Sequence, residues 1–190
     1  EWQVTQPFAG SRCPAPAAVA QLCLKQDQYK EALELYAIAQ RSVPQYTSWY
    51  LEYTYYIMLC KEKLGQTLTA IERQQAQEAI EQGRFLSKHR AVNEEFSERY
   101  TGLLYLIQRQ FTDAIPFLEA SRQKLNGLDL AATDQALILC YLQTGQFDKA
   151  TSLARAGASK AGENAARYRA IMEALPALEK SVRAKTNAAN

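Results

Sequence analysis

The chain has 190 residues, 47% of them hydrophobic, with 22 basic and 20 acidic side chains and a net charge of +2. That length holds one domain or one short solenoid, and scattered charges with no basic run give no electrostatic case for nucleic acid or an anionic membrane. No apolar stretch is long enough to span a bilayer, so no direct membrane span is expected.

Residues 1–13 hold Trp2, Val4 and Phe8 with Pro7 and Gly10. They read as an extended segment whose aromatics pack on something, either the chain's own helices or a partner. Helices are predicted over 15–26 and 29–42, then 47–64 and 67–88. The 47–64 helix is unusual: Trp49, Tyr53, Tyr56, Cys60 and Leu64 form one stripe, while Tyr50, Ile57, Leu51, Tyr55 and Met58 cover other sides. A helix apolar nearly all round is buried on several sides. So many tyrosines imply packed rings whose hydroxyls reach polar groups. The 67–88 helix is long and rich in Gln and Glu. Helices over 92–108 and 111–125 follow, then a turn at Asn126-Gly127, then helices over 129–144 and 147–160. A last helix over 163–184 is read as interrupted by Pro176, with Tyr168, Ile171, Leu175 and Leu178 on the face that covers the end of the array. The tail 185–190 is small and polar, and is read as flexible.

One phrase recurs along this order. Tyr29-Lys-Glu-Ala32, Phe111-Thr-Asp-Ala114 and Phe147-Asp-Lys-Ala150 each place an aromatic three residues before Ala at the start of an amphipathic helix. The last two alanines are 36 residues apart, a period that marks an array of helical hairpins. The first two are 82 apart, with room for one longer unit that lacks the phrase. The small alanine lets two helices approach, so Ala32, Ala114 and Ala150 are expected to be buried. Gly145 can take the left-handed conformation that closes a helix.

These residues resemble the tetratricopeptide repeat (TPR) family over residues 13–158. Gly102 and Tyr105 match the small–aromatic pair of that family's first helix. Tyr29, Ala32, Tyr36, Ala39 and Pro44 match the series of its second helix and the closing Pro. Ala154 and Leu118 depart from it, standing where an aromatic is usual. The resemblance implies an all-α fold, a right-handed alpha-alpha superhelix of about four hairpins (14–46, 47–91, 92–126 and 129–161) with a capping helix at 163–184. It also implies a concave groove lined by first helices. On that pattern Tyr50, Thr54, Arg99, Leu103, Gln135, Leu139 and Leu142 face the groove and bind a protein or extended peptide. Lys25 and Arg99 alone do not make the basic clamp with which some members grip an acidic C-terminus.

Chemistry is sparse. His89 reads as a surface residue at a helix C-terminus, and Glu94, Glu95 and Glu98 as a helix start that favours negative charge. No phosphate loop, nucleophile elbow or paired carboxylates appear, so neither an enzyme nor a cofactor is expected. The cysteine spacings do not resemble zinc ligand pairs, so no metal is expected. Cys60 and Cys140 fall in apolar stripes and read as buried thiols. Cys13 and Cys23, ten residues apart, are the disulfide candidate.

The leading functional expectation is a non-catalytic scaffold or adaptor that binds a partner polypeptide, as an assembly factor or accessory subunit of a larger complex. The alternatives are a structural subunit of a permanent assembly or lattice, and a small secretion chaperone. The chain begins at Glu1, which leaves either a removed presequence or a trimmed end. The first reading places the protein in the periplasm or outside the cell; the alternative is cytoplasmic, as the secretion-chaperone reading predicts. A Cys13–Cys23 bridge favours the first.

Overall fold

A computed structural model describes residues 15–89, 94–159 and 164–188 of the chain. These residues form nine helices: α1 (Ala15–Lys25), α2 (Tyr29–Arg41), α3 (Ser48–Lys63), α4 (Ala70–Lys88), α5 (Glu94–Ile107), α6 (Phe111–Arg122), α7 (Gly127–Gln143), α8 (Phe147–Ala158) and α9 (Ala165–Ala188). There is no strand among the described residues. The first eight pair into four hairpins, and α9 packs on α8.

Each hairpin is closed in the same way. A residue in the left-handed region follows the first helix: Asp27 (φ 56°), Gly65 (φ 67°), Arg109 (φ 61°) and Gly145 (φ 75°). The next residue is Gln every time. Its backbone N–H reaches back to a carbonyl five residues earlier: Gln28 to Cys23, Gln66 to Lys61 and Gln110 to Tyr105 at 2.9 Å, and Gln146 to Tyr141 at 2.8 Å. This is the six-to-one bond that satisfies otherwise orphaned helix-end carbonyls. The second hairpin therefore belongs to the series although it lacks the aromatic–Ala phrase. Its second helix begins three residues late, at Ala70, because Thr69 and Glu72 form a capping box there.

Packing follows the small residues. Ala32, Ala114 and Ala150 are fully buried. A Cβ on Gly102 would sit 2.7 Å from Leu118 Cγ and 3.2 Å from the Ala114 carbonyl oxygen, so α5 and α6 lie as close as glycine permits. Gly83 brings α4 equally near α5, where a Cβ would lie 1.9 Å from Thr101 Oγ1. Leu51, Ile80, Leu104, Leu118 and Leu137 belong to one core running from the second hairpin to α9. A smaller cluster of Ala17, Ala20, Ala32, Tyr36 and Tyr53 holds the first hairpin to α3.

The last helix differs from the expected interrupted one. It runs through Pro176 and continues to Ala188, past the position where a flexible tail was expected to start. Pro176 is on the exposed side, and contacts beyond it hold the helix: Val182 is half-buried, and the Arg183 guanidinium lies 4.4 Å from the Phe147 ring centroid. Before the proline, Asp134 on α7 anchors α9. It is 1% exposed and accepts from Arg122 Nε of α6 at 2.5 Å and from the Tyr168 hydroxyl of α9 at 2.6 Å.

Curvature follows from which helices touch. The odd-numbered helices α3, α5, α7 and α9 each contact the next odd one, whereas the even-numbered helices make no comparable contact with one another. The odd layer is therefore the inner, concave side and the even layer the splayed outer side.

Candidate protein-binding groove

The concave face centres on a polar and aromatic cluster contributed by three odd helices. Glu52, Tyr55 and Tyr56 come from one side of α3, at the spacing that aligns residues along a helix. Arg99 and Tyr100 come from α5, and Asp129 from the first turn of α7. Arg99 is 7% exposed and donates from Nη1 to Asp129 Oδ1 at 2.5 Å. Its guanidinium carbon lies 5.3 Å from the Tyr100 ring centroid, within cation–π range. Arg99 Nε is buried without a hydrogen-bond partner. The rings of Tyr55, Tyr56 and Tyr100 contact one another with centroids 5.2–6.1 Å apart.

Burial sets the electrostatics. It raises the Glu52 carboxyl above its ordinary range, opposed by hydrogen bonding to Tyr100 and by the Arg99 charge. Burial likewise raises the Tyr55, Tyr56 and Tyr100 hydroxyls, so all three stay protonated at neutral pH, with Tyr100 hydrogen-bonded to Glu52 and Tyr56 inside the cluster. The cluster thus brings tyrosine rings, hydroxyls and carboxylates together on the concave side, with Leu139 and Leu128 exposed further along the channel on α7. Side-chain and backbone groups of an extended polypeptide are the chemistry that such a surface can meet.

The residues expected in the groove divide. Gln135 is exposed and Leu139 is 39% exposed, on the uncovered side of α7. Arg99 belongs to the cluster, but its charge is already paired within the fold. Thr54 is buried: its hydroxyl accepts from Gln40 Nε2 of α2 and donates to the Tyr50 carbonyl, both at 2.7 Å. Tyr50 is half-buried, and its hydroxyl is raised by burial and by the Glu78 charge of α4, which puts it on the outer side of α3. Leu103 and Leu142 are buried in the core. The groove face of α3 is the opposite one, that of Glu52 and Tyr55. Glu52, Tyr55, Tyr56, Tyr100 and Asp129 were missed. The signal available was Glu52, the one acid in the first three turns of an otherwise aromatic helix.

Elsewhere the surface is quieter. His89 caps α4 at the exposed end with Nδ1 2.8 Å from the Phe85 carbonyl oxygen. Glu94 and Glu95 begin α5, while Glu98 is buried against Lys124. An open cleft of about 420 Å3 lies among α6, α7 and α8, lined by Glu119, Arg122, Tyr141 and Lys149. No His, Cys, Asp and Glu among the described residues are grouped to hold a metal ion, and no helix among them is long and apolar enough to cross a membrane. Cys60 and Cys140 are fully buried, and Cys23 is half-buried and bridged to no other described cysteine. The Cys13–Cys23 pairing lies outside the described residues, because Cys13 precedes them, as does the rest of the 1–13 segment.

No protein-family model matches the chain, and no curated protein does. Solved structures do. A Podosopora anserina protein of nearly identical TPR-like repeats, assigned to kinesin light chain, matches with a TM-score of 0.53 at 18% identity, covering 90% of this chain and 94% of that one. A point variant of the same protein matches at 17% identity with the same TM-score and coverage. Four hairpins with a shared closure, a concave odd layer and these neighbours together establish that the chain folds as a TPR-like right-handed helical solenoid.

Proposed function

We propose that this protein is an interaction scaffold that holds a partner polypeptide in its concave groove, as an adaptor or assembly factor for a larger complex. The observation that carries the reading is the concave face itself: hydroxyls and carboxylates from α3, α5 and α7 meet there, and Gln135 and Leu139 of α7 are exposed further along it. TPR-like repeats mediate protein–protein contacts as a class, which supports the reading.

The test uses side chains that the fold does not need. Leu139→Asp and Gln135→Ala change exposed positions, so melting should shift within about 0.5 kcal/mol. Binding energy concentrates in a few anchors, so Leu139→Asp should weaken partner capture by about 1–2 kcal/mol, roughly tenfold. Capture from the native source, quantified by mass spectrometry for wild type and variant side by side, names the partner and measures the loss. Equal recovery by both chains would remove the groove from the interface.

A further inference from the structure

The splay of the even-numbered layer leaves α6 and α8 standing apart over α7, and the outer cleft lies between them. It holds about 420 Å3, within the range of small-molecule sites. Leu137 and Tyr141 of α7 form its floor, both buried. Its walls carry opposite charges, Glu119 on α6 and Lys149 on α8. Among the described residues, neither joins an ion pair. One tyrosine fixes both. The Tyr141 hydroxyl donates to Glu119 Oε1 at 2.5 Å, and Lys149 Nζ stands 5.3 Å from the centroid of the same ring. Glu119 Oε2 and the Lys149 ammonium are thus held a tyrosine's length apart at most, with their hydrogen bonding unspent. The half-buried Arg122, on the wall of Glu119, gives Nε to Asp134 and leaves both terminal nitrogens without a hydrogen bond.

We infer that this cleft binds a small zwitterion, an α-amino acid with an apolar side chain. The ligand's ammonium donates to Glu119 Oε2. Its carboxylate accepts from Lys149 and the terminal nitrogens of Arg122, and its side chain covers Leu137 and Leu153. A simple anion would meet like charge at Glu119, and a simple cation would leave Lys149 and Arg122 unmatched. Only a ligand with both charges complements both walls. Two charges on one carbon, each with an outward charge-assisted hydrogen bond of about 2.8 Å, bridge the gap that Tyr141 sets. The interior of a polypeptide carries neither free end, so this site is distinct from the concave groove and does not depend on it. Bound there, the ligand ties α6 to α8, which make no comparable contact of their own, and stabilises the folded chain by mass action.

The test titrates leucine into the full chain and follows backbone amide shifts by NMR. Leucinamide, which lacks the carboxylate, and isocaproate, which lacks the ammonium, are titrated beside it. Leucine should shift the amides of Glu119, Tyr141 and Lys149 saturably in the millimolar range. Each single-charge probe should bind about tenfold more weakly, the worth of one charge-assisted hydrogen bond. Glu119→Gln keeps an acceptor for Tyr141, and Lys149→Met keeps the aliphatic stem, so both should melt nearly as wild type does while binding leucine about tenfold more weakly. Absence of saturable shifts with leucine would overturn the inference. So would leucinamide or isocaproate binding as tightly as leucine, because the cleft would then read a single charge. Unchanged affinity in either variant would overturn it too, because the leucine would then sit elsewhere.

Discussion

Asp134 is a buried carboxylate whose removal should loosen three helices together. It is 1% exposed on α7, and its two oxygens hold Arg122 Nε of α6 at 2.5 Å and the Tyr168 hydroxyl of α9 at 2.6 Å. Asp134→Ala leaves both donors without acceptors. Breaking a buried ion pair by removing one partner costs about 3–5 kcal/mol when the survivor stays buried. Arg122 has a side chain one-third exposed and can turn to water, which removes much of that cost. Tyr168 is buried, and its stranded hydroxyl costs about 1–3 kcal/mol. The sum is about 2–4 kcal/mol, which in a chain of this size lowers melting by about 4–16 °C. Thermal melts by circular dichroism measure it. Asp134→Asn keeps the volume and one acceptor and should lose about half as much. Tyr168→Phe removes a single bond, and combined with Asp134→Ala it should add almost nothing, because the two share one interaction. A loss below about 0.5 kcal/mol for Asp134→Ala, or full additivity with Tyr168→Phe, would refute the claim that this carboxylate docks the cap.

Five further outcomes rest on particular residues. Ala114→Leu overfills the α5–α6 contact beside Gly102 and should cost about 1–3 kcal/mol; unchanged melting would mean that the hairpin register is misplaced. Arg109→Gly relieves a left-handed backbone that costs most residues about 1–2 kcal/mol, less about 0.5–1 kcal/mol for glycine's greater freedom when unfolded, so the variant should melt slightly higher, and a lower melting point would contradict the turn. Burial raises the Glu52 carboxyl in the folded state, so its contribution to stability is fully present below the ordinary Glu pKa and is lost as pH rises through the raised folded value. Glu52→Gln should therefore melt higher than wild type at neutral pH and equally near pH 4, and a gain that persists in acid would contradict burial as the cause. Burial also raises the Cys60 and Cys140 thiols to about 11 and about 12, so neither should react with a thiol reagent in the native protein at pH 8. In the denatured, unreduced chain two reactive thiols would support the Cys13–Cys23 bridge and an exported protein, while four would exclude the bridge.

Much of this fold was legible because its signals are periodic. The aromatic–Ala phrase located three hairpins, Gly102 marked the close approach of α5 and α6, and Gly145 marked a turn. The equivalent turns at Asp27 and Arg109 were hidden, since neither residue announces a left-handed backbone and only the following Gln is shared. Pro176 suggested an interruption that the packing of Leu175, Val182 and Arg183 overrides. The groove was harder to place. Helix α3 is aromatic on all sides, so its pattern gave no preferred face, and Tyr50 and Thr54 were assigned to the side that Glu52 and Tyr55 occupy. Asp134 carried no signal at all: a lone carboxylate in an apolar helix has no period, and its partners are 12 and 34 residues away.

The central claim is that the concave channel, not the outer face, holds the partner. A photoreactive phenylalanine derivative placed at Leu139, on the uncovered side of α7, and separately at Ser152, beside the outer cleft, compares the two faces within the same fold. After irradiation in the native source, the account predicts a covalent adduct with a partner polypeptide from position 139 and none from position 152. Adducts from position 152 alone would contradict it.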